Sequence, residues 1–247
     1  ELTKECKGCV AVKQVDLKVQ RGHIHALIGP NGAGKTTFFN LLTKFLHPTT
    51  GTIVFNGTDI TAEKPAQTAR RGIVRSFQIS AVFPHMTVLE NVRAALQRNL
   101  GTSLHFWKAE STLFRLHDRA RALLAEVDLN DFADELTVSL PYGRKRALEL
   151  ATTLALEPEL MLLDEPTAGM GHEDVDRVTQ LIRQVSAGRT ILMVEHNMNV
   201  VASIADRITV LQRGAIIADG PYAEVSKNSL VIEAYMGTVN TELQGAQ

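Results

Sequence analysis

The chain has 247 residues, a formal charge of −1 and two cysteines. This length suits one large α/β domain or two small ones. The balanced charge argues against a generally basic nucleic-acid binder, so we expect no nucleic-acid partner. Cys6 and Cys9 are too few for a four-ligand zinc site, and we interpret them as reduced thiols of a cytosolic protein. No apolar run reaches membrane-span length, and we expect no signal peptide.

The first predicted elements surround a glycine-rich loop. Loosely alternating apolar residues over 10–19 predict a strand, and 23–28 is typical of a short buried strand. The segment that follows fits the phosphate-loop pattern and reads Gly29-Pro30-Asn31-Gly32-Ala33-Gly34-Lys35-Thr36-Thr37. Apolar residues at helical spacing over 38–46 place this loop between a strand and a helix, which is the context that the pattern requires.

The residue types of the loop match triphosphate chemistry. Gly32 and Gly34 let successive backbone N–H groups approach the phosphates, and the next helix points its N-terminus at them. Lys35 supplies a positive charge for the β- and γ-phosphates, and the Thr36 hydroxyl suits Mg²⁺. The loop therefore predicts a nucleoside triphosphate and Mg²⁺, which many unrelated activities share.

The middle third of the chain has a different texture. Predicted strands cover 52–55 and 73–77, and predicted helices cover 67–71, 87–100, 113–127 and 144–156. Asn56-Gly57 is a hairpin-turn signal, and Thr87 with Glu90 predicts a capping box. We predict a helical subdomain over about 86–156, inserted in an α/β core and β subdomain formed by 1–85 and 157–247.

Two buried strands end in ionisable residues. The strand 159–165 ends in Asp164 and Glu165, and the strand 190–194 is followed by His196. In open parallel sheets ligands bind at the carboxyl ends of the strands. We predict that Asp164 holds Mg²⁺ through its water shell and that Glu165 is a general base for the attacking water.

His196 and Gln78 complete the predicted site. His196 can donate to a γ-phosphate oxygen, and Gln78 can offer its amide oxygen to Mg²⁺ or hold the water. Alone, His196 would be a satisfied core histidine, the two carboxylates a solvated pair, and Gln78 uninformative. A basic cluster, Arg70-Arg71 with Arg75, is interpreted as a solvated helix face.

The last quarter of the chain adds smaller elements. A helix is predicted over 173–185, two short strands around Arg213-Gly214, a turn at 219–221 and a helix over 230–236. The final ten residues are polar, and we expect them to fray.

The order of these motifs resembles the ATP-binding-cassette (ABC) ATPase family. In that family Gln78 is the Q-loop glutamine, 140–144 the signature, Asp164 and Glu165 the Walker B pair, and His196 the switch histidine. The resemblance implies a P-loop NTPase (RecA-like) core with an antiparallel β subdomain and an inserted helical subdomain, and it implies ATP and Mg²⁺. It also implies that Pro141, Tyr142, Gly143 and Arg144 contact ATP held by a second subunit.

Finer features, such as 82–92, 194–198 and 231–237, are similar to the branched-chain amino acid importer ATPases. That branch implies a second ABC ATPase subunit (identical or paralogous), permease subunits and, indirectly, a periplasmic binding protein. It implies a peripheral position on the cytoplasmic face of the inner membrane. Urea or amide import, lipopolysaccharide export and a non-transport ABC ATPase are alternatives, as is a regulatory module that binds nucleotide without useful hydrolysis.

Four positions depart from the family pattern. Pro141 and Arg144 replace the Ser and Gln of the usual Leu-Ser-Gly-Gly-Gln signature, and Pro141 cannot donate the hydroxyl hydrogen bond. Gly171 stands where an Asp is usual. Cys6 falls where an aromatic residue normally stacks on adenine, so we expect only a small apolar contact with the base.

Overall fold

The computed structural model describes residues 1–6, 8–76, 82–99 and 110–235. Its strands are β1 (Leu2–Cys6), β2 (Cys9–Val15), β3 (Ile24–Ile28), β4 (Val54–Phe55), β5 (Thr58–Asp59), β6 (Ile73–Ser76), β7 (Leu160–Asp164), β8 (Thr190–Val194), β9 (Arg207–Gln212) and β10 (Ala215–Gly220). Its helices are α1 (Lys35–Leu42), α2 (Pro65–Arg70), α3 (Val88–Asn99), α4 (Glu110–Glu126), α5 (Tyr142–Leu154), α6 (His172–Val185), α7 (Met198–Ile204) and α8 (Tyr222–Val225). The chain is also helical over 229–235.

Six strands form the central sheet in the order β10-β9-β3-β8-β7-β6. All neighbours are parallel except β10, which runs antiparallel to β9. The register pairs Ile24 with Ile191, and Asp164 with Val194. Because β3, β7 and β8 are parallel neighbours, the residues that follow them lie at one edge of the sheet.

The central strands are apolar throughout because both faces of the sheet are covered. Side chains on one face, including Ile28, Leu163 and Met193, pack in a cluster with the helices α3 to α7. Side chains on the other face, including Leu162 and Leu192, pack with α1 and the β1–β2 pair. Because successive side chains enter two apolar clusters, polar and apolar residues do not alternate in these strands. The sequence shows continuous apolar runs instead.

Most predicted elements are present, with shifted ends. The strand 190–194 is confirmed as β8, but the predicted strand 10–19 ends at Val15. The helix predicted over 38–46 begins at Lys35 and ends at Leu42, and Lys44 has a left-handed φ of 64°. The predicted helix start at Arg144 lies two residues inside α5. β1, α7 and α8 were not predicted.

The helices of the middle third begin with the predicted cap. The Thr87 N–H donates to Glu90 Oε2 at 2.8 Å, and the Glu90 N–H donates to Thr87 Oγ1 at 3.2 Å. This capping box starts α3, which packs with α4 and α5. In the part of the chain that the structure describes, no helix is both long and apolar enough to cross a membrane.

A buried histidine lies inside the sheet. His25, on β3, is fully buried, and its Nε2 lies 2.7 Å from Thr209 Oγ1. The Thr209 hydroxyl donates to Asp219, so it accepts a hydrogen bond from a protonated Nε2. Nδ1 has no hydrogen-bond partner among the described residues. Burial lowers the pKa of His25 to about 4, although Asp219 opposes the shift, so the imidazole is neutral in the folded protein.

The stability of the fold should therefore decrease in mild acid. An unfolded histidine binds a proton near pH 6.5, whereas folded His25 resists protonation until about pH 4. The contribution of His25 to the free energy of unfolding is complete above the pKa of the unfolded state, and it is lost as the pH falls toward the pKa of the folded state. Between pH 7.5 and pH 5 this group should lower the free energy of unfolding by about 2 kcal/mol.

Urea unfolding at both pH values measures this effect. The His25→Gln variant has no titrating imidazole and should show a correspondingly smaller pH dependence. An identical pH dependence in the variant would assign the effect to other groups.

Candidate active site

The predicted phosphate loop, Gly29–Thr37, connects the end of β3 to the start of α1. Lys35, Thr36 and Thr37 form the first turn of α1, one turn earlier than predicted. Gly34 is the N-cap, so no side chain caps the helix, and the first turn has no acidic residue. The N–H groups of this turn are thus left for an anion, and Thr36 is exposed beside them.

The loop packs tightly against neighbouring strands. A Cβ on Gly34, which has φ +102°, would overlap the carbonyl oxygen of Ala11 on β2. Gly32 has φ +76°, and a Cβ there would meet no atom within 4 Å. Gly34 therefore lets the loop approach β2, whereas Gly32 lies on the open side.

Lys35 is buried, with 6% of its surface exposed. Its Nζ donates to the carbonyl oxygens of Gly29 at 2.7 Å and Pro30 at 3.0 Å. Burial lowers the pKa of Lys35, and the nearby carboxylates of Glu165 and Asp164 oppose that shift. The ammonium thus bonds to two neutral carbonyl oxygens of its own loop, and phosphate oxygens can replace them as acceptors.

The predicted carboxylates lie at the carboxyl end of β7. Asp164 forms an ion pair with Arg75, whereas Glu165 contacts His196 with 2.9 Å between Oε1 and Nε2. Glu165 has a left-handed φ of 48°. Its N–H donates to Val194 O at 2.9 Å, which ties the ends of β7 and β8 together. The structure thus brings Lys35 and the two carboxylates into electrostatic reach, with His196 beside Glu165.

Glu195, which sequence reasoning gave no role, organises this edge. It is 3% exposed. One carboxylate oxygen accepts from the N–H and hydroxyl of Thr167, and the other accepts from the N–H groups of His196 and Asn197 at 2.7 and 3.0 Å. Several donors hold the buried carboxylate in one orientation. Glu195 therefore fixes the backbone at His196 and the loop after Glu165.

The predicted signature residues lie at the N-terminus of α5. Pro141 is the N-cap, and Tyr142 and Gly143 are in the first turn. The Arg144 guanidinium stacks on the Phe132 ring, 3.7 Å from its centroid, so its charge is partly committed within the chain. A Cβ on Gly143 would overlap Asp174 of α6. Tyr142 also contacts the loop after β7, with 3.5 Å between its hydroxyl and the Ala168 carbonyl oxygen, so these residues contact both neighbouring helical segments and that loop.

The remaining predicted site residues are Gln78 and Cys6. Gln78 is outside the described residues. Cys6 ends β1, paired with Cys9, whose thiol lies 3.2 Å from the Cys6 carbonyl oxygen. Both cysteines are free thiols. β2, the partner of β1, lies against Gly34, so Cys6 belongs to the same side of the fold as the loop.

The interpretation of Arg75 as part of a solvated helix face is wrong. Arg75 lies on β6, with 12% of its side chain exposed, and it contacts Asp164. Arg146 was also unassigned, and it is buried in an ion pair with Glu149 while donating to the Glu165 carbonyl oxygen at 3.2 Å. The position of Arg75 within a predicted strand was the one sequence signal against a solvated helix face.

Comparison with known proteins then identifies the family. The ABC transporter family model matches residues 12–168. A branched-chain amino acid transport ATP-binding protein of Pseudomonas aeruginosa is 39% identical over 243 residues, covering 96% of this chain and 95% of the relative. The chain belongs to the ABC transporter ATPase family. A second model, described as branched-chain amino acid ATP-binding cassette transporter, matches residues 215–239.

Other relatives of this ABC ATPase agree. A high-affinity branched-chain amino acid transport ATP-binding protein of Escherichia coli is 38% identical over 237 residues, covering 93% of each chain. A solved ABC transporter cassette in its ADP conformation has a TM-score of 0.83 and 28% identity, covering 96% of each chain. A nucleotide-free cassette has a TM-score of 0.81 and 27% identity, covering 95% of this chain and 96% of the other. The predicted P-loop NTPase fold is thus confirmed.

The residues of this ABC ATPase fit a nucleotide with its metal. Among the described residues no N-cap side chain bonds to the first turn of α1, and the described hydrogen bonds of the Lys35 ammonium are to neutral carbonyls. Thr36 and Asp164 offer the hard oxygen atoms that Mg²⁺ prefers. The arrangement can hold a triphosphate with Mg²⁺ near the Glu165 carboxylate.

Glycine-to-alanine substitutions in the loop should distinguish the tightly packed Gly34 from the open Gly32. Gly34→Ala places Cβ against the Ala11 backbone with a strained φ, so we expect a loss of more than about 2 kcal/mol in the free energy of unfolding. Gly32→Ala, with an open surrounding, should lose only about 1 kcal/mol. Urea unfolding of the two variants measures the difference. Equal losses would contradict the close approach of Gly34 to β2.

Proposed function

We propose that this ABC ATPase powers an importer of branched-chain or related amino acids across the inner membrane. The observation that carries the proposal is the near-full-length similarity, at 38–39% identity, to two bacterial branched-chain amino acid transport ATP-binding proteins. The family-specific match over 215–239 supports this cargo over urea, amide or lipopolysaccharide transport. In this reading the chain is a peripheral subunit on the cytoplasmic face.

ATP binding is proposed to centre on the loop. The N–H groups of the first turn of α1 and the Lys35 ammonium would bind the β- and γ-phosphates, in place of the carbonyl contacts that Lys35 makes here. Thr36, Asp164 and Gln78 would hold Mg²⁺, which supplies charge neutralisation of the phosphates. Cys6 would contact the base without stacking on it.

Hydrolysis is proposed to use Glu165 as general base. Its carboxylate would accept a proton from water as the water oxygen bonds to the γ-phosphorus and the bond to ADP breaks. His196 already contacts Glu165 at 2.9 Å, so a turn of its imidazole toward a γ-phosphate oxygen would couple the base to bound ATP. Glu195 supports both residues through the backbone of His196.

A second cassette is proposed to complete the site. A solved bacterial ABC transporter cassette, 25% identical and with a TM-score of 0.73, is dimeric and covers 89% of this chain and 96% of its own. In a dimer the N-terminus of α5, with Pro141 to Gly143, would face ATP held by the partner, identical or paralogous. Pro141 offers no hydroxyl, so the helix N-terminus would carry this contact.

The helical region 86–156 is proposed as the subdomain that meets the permease subunits. Phe83, Leu136 and Val138 are 58%, 47% and 51% exposed. They lie on adjoining segments, because the Val138 N–H donates to the Pro84 carbonyl oxygen at 2.9 Å. An exposed apolar patch of this kind suits a protein partner. A periplasmic binding protein would act on the far side of the permeases.

Replacing Glu165 tests the proposed base. Glu165→Gln keeps the shape but cannot accept the proton, so ATP hydrolysis should fall at least about 100-fold, while ATP affinity is retained and a closed dimer accumulates with ATP. Phosphate release, ATP titration and size-exclusion chromatography measure the three effects.

Glu157→Gln is the matched control, since Glu157 also has a left-handed φ, of 49°, but has an exposed side chain. This variant should hydrolyse ATP normally. Undiminished hydrolysis by purified Glu165→Gln would refute the role of Glu165.

The cargo is tested in cells of the source organism. Deleting the gene should abolish saturable uptake of radiolabelled leucine, and the wild-type gene should restore it while Glu165→Gln should not. The tagged protein should copurify with two hydrophobic membrane subunits. Intact leucine uptake together with lost urea uptake would overturn the amino acid assignment.

A further inference from the structure

Arg75 joins two elements of the active site. Its guanidinium donates to Oδ2 of Asp164 and, over 2.7 Å, to Oδ1 of Asn40 on α1. The Phe39 ring lies beneath it, with 5.6 Å to the ring centroid. With 12% of the Arg75 side chain and 6% of the Asp164 side chain exposed, the ion pair is largely removed from water. Asn40 and Phe39 hold its arginine in place.

The contact with Asn40 links Arg75 to the phosphate-loop helix. Asn40 follows Thr36 by four residues, so the two side chains share one face of α1, one turn apart. Thr36 and Asp164 are the two described residues to which we assign Mg²⁺. Arg75 therefore bonds directly to Asp164. Through Asn40 it also bonds to α1, the helix that carries Thr36.

The ion pair also orients the carboxylate. Arg75 occupies Oδ2 of Asp164, and among the described residues no hydrogen bond reaches Oδ1. Lys35, the other cation of the site, donates to loop carbonyls. A carboxylate held through one oxygen presents the other in a restricted direction, and partners of this kind typically change metal affinity about 10- to 100-fold.

We propose that Arg75 is a positioning residue for the metal of the ATPase site. It holds Asp164 and α1 in one fixed relation, in which Oδ1 of Asp164 and the Thr36 hydroxyl would both be available to hold Mg²⁺. This inference rests on the proposed function, since it assumes a nucleotide bound with Mg²⁺. Nucleotide binding itself belongs to the loop, so loss of Arg75 should affect the contribution of the metal and leave metal-free affinity nearly unchanged.

The test compares ADP affinity with Mg²⁺ and with EDTA. Arg75→Met, which keeps the packing on Phe39 but lacks the charge, should bind ADP with Mg²⁺ about 10- to 100-fold more weakly than wild type. In EDTA the two proteins should bind ADP alike by calorimetry. The electron paramagnetic resonance signal of Mn²⁺ in the presence of ADP reads the same loss directly on the metal.

Arg71→Met is the matched control. Arg71 is exposed and contacts Glu63 at 2.7 Å, so this variant should behave as wild type in both conditions. If Arg75→Met does not fold, Asn40→Leu keeps the ion pair and releases it from α1, and it should give a smaller loss confined to Mg²⁺.

Two results would overturn the inference while leaving the proposed function in place. One is a folded Arg75→Met protein that keeps the full gain from Mg²⁺, and the other is an equal loss in Mg²⁺ and EDTA. If wild-type protein bound no ADP in either condition, the proposed function would fail and this inference with it.

Discussion

Charge compensation at the carboxyl edge of the sheet is the constraint on which the site depends. Lys35, Arg75 and Asp164 are all shielded from water, and buried charges are costly unless they are paired or hydrogen-bonded. The two cations have different partners, since Arg75 forms an ion pair with Asp164 whereas Lys35 donates to neutral carbonyl oxygens. Arg75 is thus held by a carboxylate, whereas the described hydrogen bonds of Lys35 are to neutral groups, which is consistent with the proposed phosphate binding.

Backbone hydrogen bonds position the side chains of Glu165 and His196. Glu165 adopts a left-handed conformation, which a non-glycine residue keeps only when its surroundings impose it. Here both peptide groups are held, the N–H by Val194 and the carbonyl oxygen by Arg146. Glu195 acts in the same way on His196 and Thr167. Glu165 and His196, the two residues proposed for catalysis, therefore have backbones held by hydrogen bonds and side chains that are partly exposed.

Local patterns in the sequence predicted the central strands and the loop because the relevant signals are contiguous. Buried apolar runs mark β7 and β8, and a polar start, Lys35-Thr36-Thr37, hid the first turn of α1 from an apolar-spacing argument. The role of Arg75 was out of reach, because it depends on the register of β6 with β7 and on which face α1 presents. The same holds for Glu195, whose four donors come from two separate loops.

The contact of Arg146 with the Glu165 carbonyl links the two halves of the proposed mechanism. Arg146 lies one turn beyond Gly143 on α5, and its charge is balanced in the interior by Glu149. The segment proposed to face the partner's ATP is therefore connected by a single buried side chain to the backbone of the proposed base. A shift of α5 against β7 would stretch this hydrogen bond and remove one of the hydrogen bonds that hold the Glu165 backbone, beside those with Val194 and Ala168. Gly171 stands where the family resemblance implies a carboxylate, so this buried link would give the proposed interface another path to the proposed base.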